Sequence, residues 1–129
     1  MNAKVATLLT QASQKLDNYD LGSAMQLYRK ALRLEPGNGA ATMGLAMALN
    51  RGNQPGEALP LLRRLWSAIS AMKQQPPREQ MAAVLAQLGL AQQQLGQLDE
   101  ALLSYRQAAQ FVSSEDLDRR IKQLEPLAN

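Results

Sequence analysis

Apolar positions recur along the chain with the spacing of an α-helix. In three segments a small alanine precedes a large residue by four positions, and Ala or Leu follows three positions later. The sets are Ala24/Tyr28/Ala31, Ala58/Leu62/Leu65 and Ala101/Tyr105/Ala108. Steps of four and three residues place each set on one helix face. The small residue lets two helices approach closely, and the large one fills the space beside it. The pattern predicts three helices that pack through this face.

A partner helix is predicted just upstream of each of these three. The residues that hold its equivalent positions are Leu8, Ala12 and Leu16 in the first segment, Thr42, Leu45, Ala46 and Leu49 in the second, and Leu85 and Leu88 in the third. Turn-forming residues such as Pro36-Gly37-Asn38 separate the segments. The sequence therefore predicts three helical hairpins, at about residues 5–36, 39–74 and 77–112.

The spacing of the hairpins is uneven. Ala58 follows Ala24 by 34 residues, whereas Ala101 follows Ala58 by 43. The nine added residues fall between Trp66 and Met81, on either side of a Pro-Pro turn. The simplest interpretation lengthens each flanking helix by about one turn of 3.6 residues, so that this hairpin protrudes. A family-specific contact and a tolerated extension both remain open. Trp66 itself is expected to pack in the core.

A final short helix is predicted at about residues 114–125. Ser113 and Ser114 can cap its first turn, which is acidic. Leu117, Ile121 and Leu124 share one face. Repeat arrays need an end helix with a polar outer side, and this segment fits that role.

Composition narrows the class of protein. The 129 residues suit one domain, 1–129, and apolar residues make up 46% although aromatics reach only 4%. Because Ala, Leu and Met favour helices, an all-α fold is expected. With no Cys and no His, thiol and imidazole chemistry is excluded, and no catalytic, metal or cofactor site is predicted. No Gly-rich phosphate loop is present either, and adjacent acids such as Asp99-Glu100 diverge around a helix.

The net charge of +3 is modest, and the basic residues lie on helix faces where solvation explains them, so no nucleic-acid partner is predicted. No stretch approaches the roughly 18–20 apolar residues that span a bilayer, and the amino terminus lacks the apolar core of a secretory signal. A cytoplasmic protein is expected, unless a leader has been removed.

Residues 85–101 carry the pattern of a large residue, Leu-Gly, then Gly before an acidic pair and Ala. This pattern closely resembles the tetratricopeptide repeat. The resemblance extends from about Val5 to Ser113 and is weakest in the first repeat, where Tyr19 replaces the usual turn glycine. It implies an all-α right-handed α–α superhelix, a solenoid of three hairpins plus a C-terminal capping helix.

In that family the first helix of each repeat lines a concave groove that holds a protein or peptide segment. The register implies a set of groove residues: Leu9, Ser13, Asp17, Met43, Met47, Asn50, Arg51, Gln87, Leu90 and Gln94. Met43 and Met47 are read either as a soft ligand surface or as core, and Gly44 as a site of close ligand approach or of tight helix packing.

One subfamily of co-chaperones grips acidic tails of heat-shock chaperones with a Lys/Asn/Asn/Lys/Arg clamp. The matching places here are Leu9, Ser13, Gly44, Ala83 and Gln87, none of which is cationic. The expected function is therefore a non-catalytic adaptor, with chaperone-like action among its forms, that binds some other segment. The alternatives are an N-terminal targeting domain of a larger enzyme and a self-assembling structural module, which would be a homo-oligomer.

Overall fold

The computed structural model describes residues 2–128, and within that range it contains seven α-helices and no strand. They are α1 (Ala3–Asp17), α2 (Leu21–Leu34), α3 (Gly39–Arg51), α4 (Pro55–Ser70), α5 (Arg78–Gln94), α6 (Leu98–Phe111) and α7 (Glu115–Leu124). The predicted all-α class is confirmed. Met1 and Asn129, the two ends of the predicted domain, lie outside the described residues. None of the seven helices is long and apolar enough to cross a membrane.

Side-chain caps fix where several helices begin. Asn2 accepts a hydrogen bond from the backbone N–H of Lys4 at 2.7 Å, and Asn38 accepts one from that of Ala41 at 2.8 Å. Such caps satisfy N–H groups that have no partner within the helix. Ser114 caps α7 in the same way, as the sequence predicts. Helix α4 instead begins with Pro55, whose missing N–H costs nothing at a first helical position.

Helix packing divides the chain into two compact units, with the boundary inside α4 between Leu61 and Leu62. In the first unit α2 packs against both α1 and α3, and α1 also contacts α3. In the second unit α6 packs against both α5 and α7. The second helix of a hairpin is thus the central element of each unit.

The alanine-based sets lie where the sequence predicts. All members of Ala24/Tyr28/Ala31 and of Ala101/Tyr105/Ala108 are buried, as are Ala58 and Leu62. Leu65, the last member of the middle set, is only half-buried. Alanine at the start of each set leaves room for a neighbouring helix, so these faces form the core of their units.

The added residues between the second and third hairpins lengthen both helices and their connection. Helix α4 has 16 residues and α5 has 17, against 14 in α2 and 13 in α3. Helix α4 ends at Ser70, whose hydroxyl donates to the carbonyl of Trp66 at 2.6 Å. Met72, which follows Ile69 by three residues and so continues its helical spacing, lies in the connection and is exposed. Seven residues, 71–77, therefore link the two helices without helical structure.

Helices α1, α3 and α5 end in the same kind of turn. In each, two backbone N–H groups beyond the helix bond back to carbonyls of its last turn, for example Asp20 N–H to the Lys15 carbonyl at 2.8 Å. This arrangement, the Schellman motif, needs a left-handed residue after the helix. The three residues are Tyr19 (φ 59°), Asn53 (φ 57°) and Gly96 (φ 78°). Glycine and asparagine adopt this conformation readily, whereas tyrosine does so at a cost.

Candidate ligand-binding surface

Two rows of predicted groove residues lie on the contacting helices α1 and α3. On α1, Leu9 is half-buried and Ser13 and Asp17 are exposed; on α3, Met43 and Met47 are half-buried and Arg51 is exposed. Members of each row are four residues apart and so share a helix face. Asn50, also predicted for this surface, is only 2% exposed and lies among the packed helices. The first unit therefore presents a partly apolar surface that ends in charged residues.

The charged residues at the ends of the two rows both act on the hydroxyl of one tyrosine. Tyr28, on α2, is buried. Burial raises the pKa of its hydroxyl, the Asp17 carboxylate raises that pKa further, and the Arg51 guanidinium lowers it. Asp17 and Arg51 are thus close enough to act on the same atom, although no salt bridge joins them in residues 2–128. The structure brings these two predicted residues together.

Arg51 also links α3 to the end of α1. Its Nη1 donates to the Leu16 carbonyl at 3.4 Å, and its guanidinium carbon lies 5.5 Å from the centre of the Tyr19 ring. That distance is typical of a cation–π contact. Tyr19 is the most exposed large apolar side chain in the described structure, at 68%. The sequence marks Tyr19 only as an irregular turn residue, and its proximity to Arg51 becomes visible only in the folded chain.

Gly44 serves close packing of α3 on α2. A Cβ atom at this position would overlap the Tyr28 ring and would lie 2.7 Å from the Tyr28 hydroxyl oxygen. The tyrosine of the second helix therefore reaches the α3 backbone, and a side chain in that place would push the helices apart. Of the two interpretations drawn from the sequence, helix packing is the one that this contact supports.

In the second unit, the predicted residues Gln87 and Leu90 are half-buried on α5, and Gln94 is exposed at its end. Beside them, the Tyr105 hydroxyl donates to Gln93 Oε1 at 2.8 Å. The guanidinium of Arg120, on α7, lies 5.8 Å from the centre of the Tyr105 ring. This surface is richer in amides than that of the first unit.

Helix α7 contributes charge next to this tyrosine. Asp116 Oδ2 accepts a hydrogen bond from Arg120 Nε at 2.9 Å, and Asp116 Oδ1 is 3.5 Å from Arg119 Nη1. The hydrogen bond to Asp116 raises the pKa of Arg120. Burial raises the pKa of Tyr105, and Arg120 lowers it. A single carboxylate thus orients both guanidinium groups.

An aromatic cluster that includes Trp66 lies elsewhere in the second unit. The rings of Trp66 and Phe111 meet edge to face, with centres 6.2 Å apart. Arg78 lies over the Phe111 ring and donates from Nη2 to the Gln110 carbonyl at 2.8 Å and from Nε to the Phe111 carbonyl at 3.0 Å. Arg78 therefore caps the C-terminal end of α6. Trp66 is half-buried in this cluster, consistent with its expected packing role.

Family comparison agrees with this architecture. A family model described as tetratricopeptide repeat matches residues 15–88, more than half of the chain, and a second model with the same description matches residues 82–111. The chain belongs to the tetratricopeptide repeat family. Repeats of this family are protein-interaction scaffolds. No curated protein matches the sequence of the chain.

Solved tetratricopeptide structures share the fold. The first tetratricopeptide domain of human RPAP3 superposes with a TM-score of 0.80 at 14% identity, covering 95% of this chain and 90% of that one. The first such repeat domain of Spaghetti (RPAP3), bound to the HSP90 peptide SRMEEVD, gives 0.84 at 14% identity over 98% and 94%. The Sgt2 domain from Aspergillus fumigatus gives 0.81 at 16% over 98% and 80%. These likenesses confirm the predicted tetratricopeptide-type fold.

Polar groups near the two surfaces either remain exposed or serve packing. The described residues contain no group of three acidic side chains placed to hold a metal ion. The buried polar pair of the second unit, in which the Ser104 hydroxyl donates to Gln92 Oε1 at 2.6 Å, joins α6 to α5 and serves packing. What each surface offers a ligand is apolar area, amides and guanidinium groups.

Proposed function

We propose that this chain is a non-catalytic interaction module that binds a protein or peptide segment on the α1–α3 surface of its first unit. The observation that carries the proposal is that α1 and α3, the helices with the rows Leu9–Ser13–Asp17 and Met43–Met47–Arg51, contact each other. Membership of a scaffold family supports it. The half-buried surface of α5 around Gln87 and Leu90 is proposed as a second contact area, with Gln94 at its end.

Methionine suits a surface that must adapt to an apolar ligand, because its thioether is flexible and polarizable. Burying one apolar anchor contributes about 1.5–3 kcal/mol before the costs of association, so three or four anchors support a roughly micromolar complex. Amide and guanidinium groups at the edge then bond to the backbone or to acidic groups of the ligand.

The class of ligand differs from the one recognised by the Spaghetti domain, which is bound to an HSP90 peptide. The positions that would form a carboxylate clamp hold Leu9, Ser13, Gly44, Ala83 and Gln87 here. Because none supplies a cation, we do not assign acidic chaperone tails as ligands. A more general chaperone-like role in the cytoplasm is part of the proposal.

The test compares Met47→Asp with Leu103→Asp. Both place a carboxylate at an apolar position, but Leu103 lies on α6 and is 61% exposed, outside the proposed surface. Wild-type protein and the two variants are used for affinity capture from source-cell lysate, with quantitative mass spectrometry. Proteins captured by the wild type and by Leu103→Asp should be lost with Met47→Asp. The melting temperature of each variant verifies folding.

Retention of every captured protein by a folded Met47→Asp variant would rule out the α1–α3 surface. A parallel Leu90→Asp variant reports on α5 independently. Loss of partners with Leu90→Asp alone would move the principal contact to the second unit.

A further inference from the structure

The Schellman turn after α1 contains an unfavourable residue. At the corresponding positions after α3 and α5 the chain has Asn53 and Gly96, which tolerate positive φ, but after α1 it has Tyr19 with φ 59°. A bulky residue in this conformation is strained. Burial of the ring offsets little of this strain, since 68% of the side chain is exposed. Burial in the core therefore does not explain this tyrosine.

The strained residue has an oriented cation beside it. The Arg51 guanidinium lies over the Tyr19 ring at 5.5 Å and is tied to the Leu16 carbonyl. Within residues 2–128 no carboxylate forms a salt bridge with Arg51. The bond to Leu16 engages Nη1, one of the three guanidinium nitrogens, and the two contacts restrict the movement of the side chain. Restricting a flexible side chain before binding lowers the entropy lost on binding.

We propose that Tyr19 and Arg51 form a binding site for a carboxylate that neighbours an apolar side chain on a protein segment. The guanidinium bonds to the carboxylate, and the exposed ring packs against the apolar group. Tyrosine and arginine are both enriched among residues that dominate interface energetics. This inference rests on the proposed function, because it specifies a ligand group for the charged end of the α1–α3 surface.

Asp17 sets the selectivity of the site. Asp17 is the last residue of α1, two residues before Tyr19, and its exposed carboxylate therefore lies near enough to repel an incoming anion. The site should therefore take a single carboxylate and disfavour dense acidic runs. Replacing Asp17 by Asn should strengthen carboxylate binding.

The probe is N-acetyl-phenylalanine, which carries one carboxylate beside one ring, and its matched control is the neutral N-acetyl-phenylalaninamide. Binding is followed by NMR through the Arg51 Nε–H signal and the Tyr19 ring signals. The acid should shift both sets of signals with a dissociation constant on the order of 1 mM, which is typical of so small a ligand. The amide should bind at least about fivefold more weakly, because it lacks the charge that bonds to the guanidinium.

Variants separate binding from folding. Tyr19→Gly should raise the melting temperature by roughly 3 °C through relief of strain, yet abolish the shifts at Arg51. Asn53→Gly is the matched control, since it makes the corresponding change after α3 and should leave probe binding unaltered. Arg51→Gln should abolish binding of the acid, and Asp17→Asn should tighten it about twofold to fivefold.

Three results would overturn the inference. They are equal NMR shifts with the acid and the amide, no NMR shift at probe concentrations up to about 20 mM, and full probe binding by Tyr19→Gly. The result is separable from the test of the proposed function. Probe binding together with unchanged capture by Met47→Asp keeps this site and rejects the wider surface. If Met47→Asp loses its partners and the wild type does not bind the probe, the wider surface is kept and the Tyr19–Arg51 site is rejected.

Discussion

The two units use a tyrosine at the same place in a hairpin but surround it differently. Tyr28 and Tyr105 each follow the alanine of their helix by four residues, and both are buried. The ring of Tyr28 lies against Gly44 of the following helix. The ring of Tyr105 lies against Gly89 of the preceding helix, and the following helix contributes the Arg120 guanidinium.

The residues that meet the two tyrosines from the following helix occupy the same position in their helices. Gly44 is the sixth residue after the N-cap Asn38, and Arg120 is the sixth after the N-cap Ser114. In α3, glycine at this place lets the helix backbone approach the Tyr28 ring. The final helix carries a long cationic side chain there, and its guanidinium lies over the ring. The capping role predicted for α7 is consistent with this substitution.

Adding a methyl group at the two glycines should produce the largest difference between the units. A Cβ at Gly44 would overlap the Tyr28 ring, whereas at Gly89 the clash is milder, because the nearest ring atom, Tyr105 Cε1, would be 2.8 Å away. Gly44→Ala should therefore lower the free energy of unfolding by about 2 kcal/mol, and Gly89→Ala by less than about 1 kcal/mol. Urea denaturation measures both values. Equal losses would show that the two contacts are alike in solution.

Removing the tyrosine hydroxyls should destabilise the second unit more than the first, the opposite of the glycine substitutions. The Tyr105 hydroxyl donates to Gln93 at 2.8 Å, so Tyr105→Phe leaves a part-buried amide oxygen without its partner. We expect a loss of about 1–2 kcal/mol in the free energy of unfolding. Within residues 2–128 the Tyr28 hydroxyl has no hydrogen bond, and Tyr28→Phe should cost less than about 0.5 kcal/mol. A larger loss for Tyr28→Phe in urea denaturation would contradict the comparison.

Alkaline titration probes the same two hydroxyls, and we expect it to change stability less than the substitutions do. Burial raises the pKa of both Tyr28 and Tyr105 above the ordinary value of 10.0, so the folded state holds these protons more tightly than the unfolded state. Their contribution to stability is complete below pH 10 and is lost as the pH rises through the raised values. Absorbance at the tyrosinate band should show late ionisation in the wild type. Tyr28→Phe and Tyr105→Phe should each remove one late component, and an unchanged curve in either would refute the assignment.

Much of the fold could be predicted from local sequence. The sets Ala24/Tyr28/Ala31 and Ala101/Tyr105/Ala108 are buried as expected, and α4 and α7 begin at Pro55 and after Ser114. These features depend on neighbours within a few residues, which a helical period or a cap records directly. The end of α4 was less predictable, because Ile69 and Met72 share an apolar face although the helix stops between them.

Less of the candidate surface could be predicted. Register indicated Asp17 and Arg51 separately, and the structure places both near the Tyr28 hydroxyl. Asn50 was assigned to the same surface, yet it is buried, since a one-residue rotation of about 100° turns a side chain from groove to core. Tyr19 was recorded as a departure from the usual turn glycine, without any ligand-binding role. Binding by any of these residues stays a prediction until the variants are measured.

The sequence by itself determined the helices, the three alanine-based faces and the tetratricopeptide pattern, because each depends on spacing within one or two turns of helix. Tertiary structure alone decided that Gly44 meets Tyr28, that Arg120 covers Tyr105 and that Arg51 lies over Tyr19. These contacts join residues on different helices, and the angles at which helices pack are set by all their side chains together.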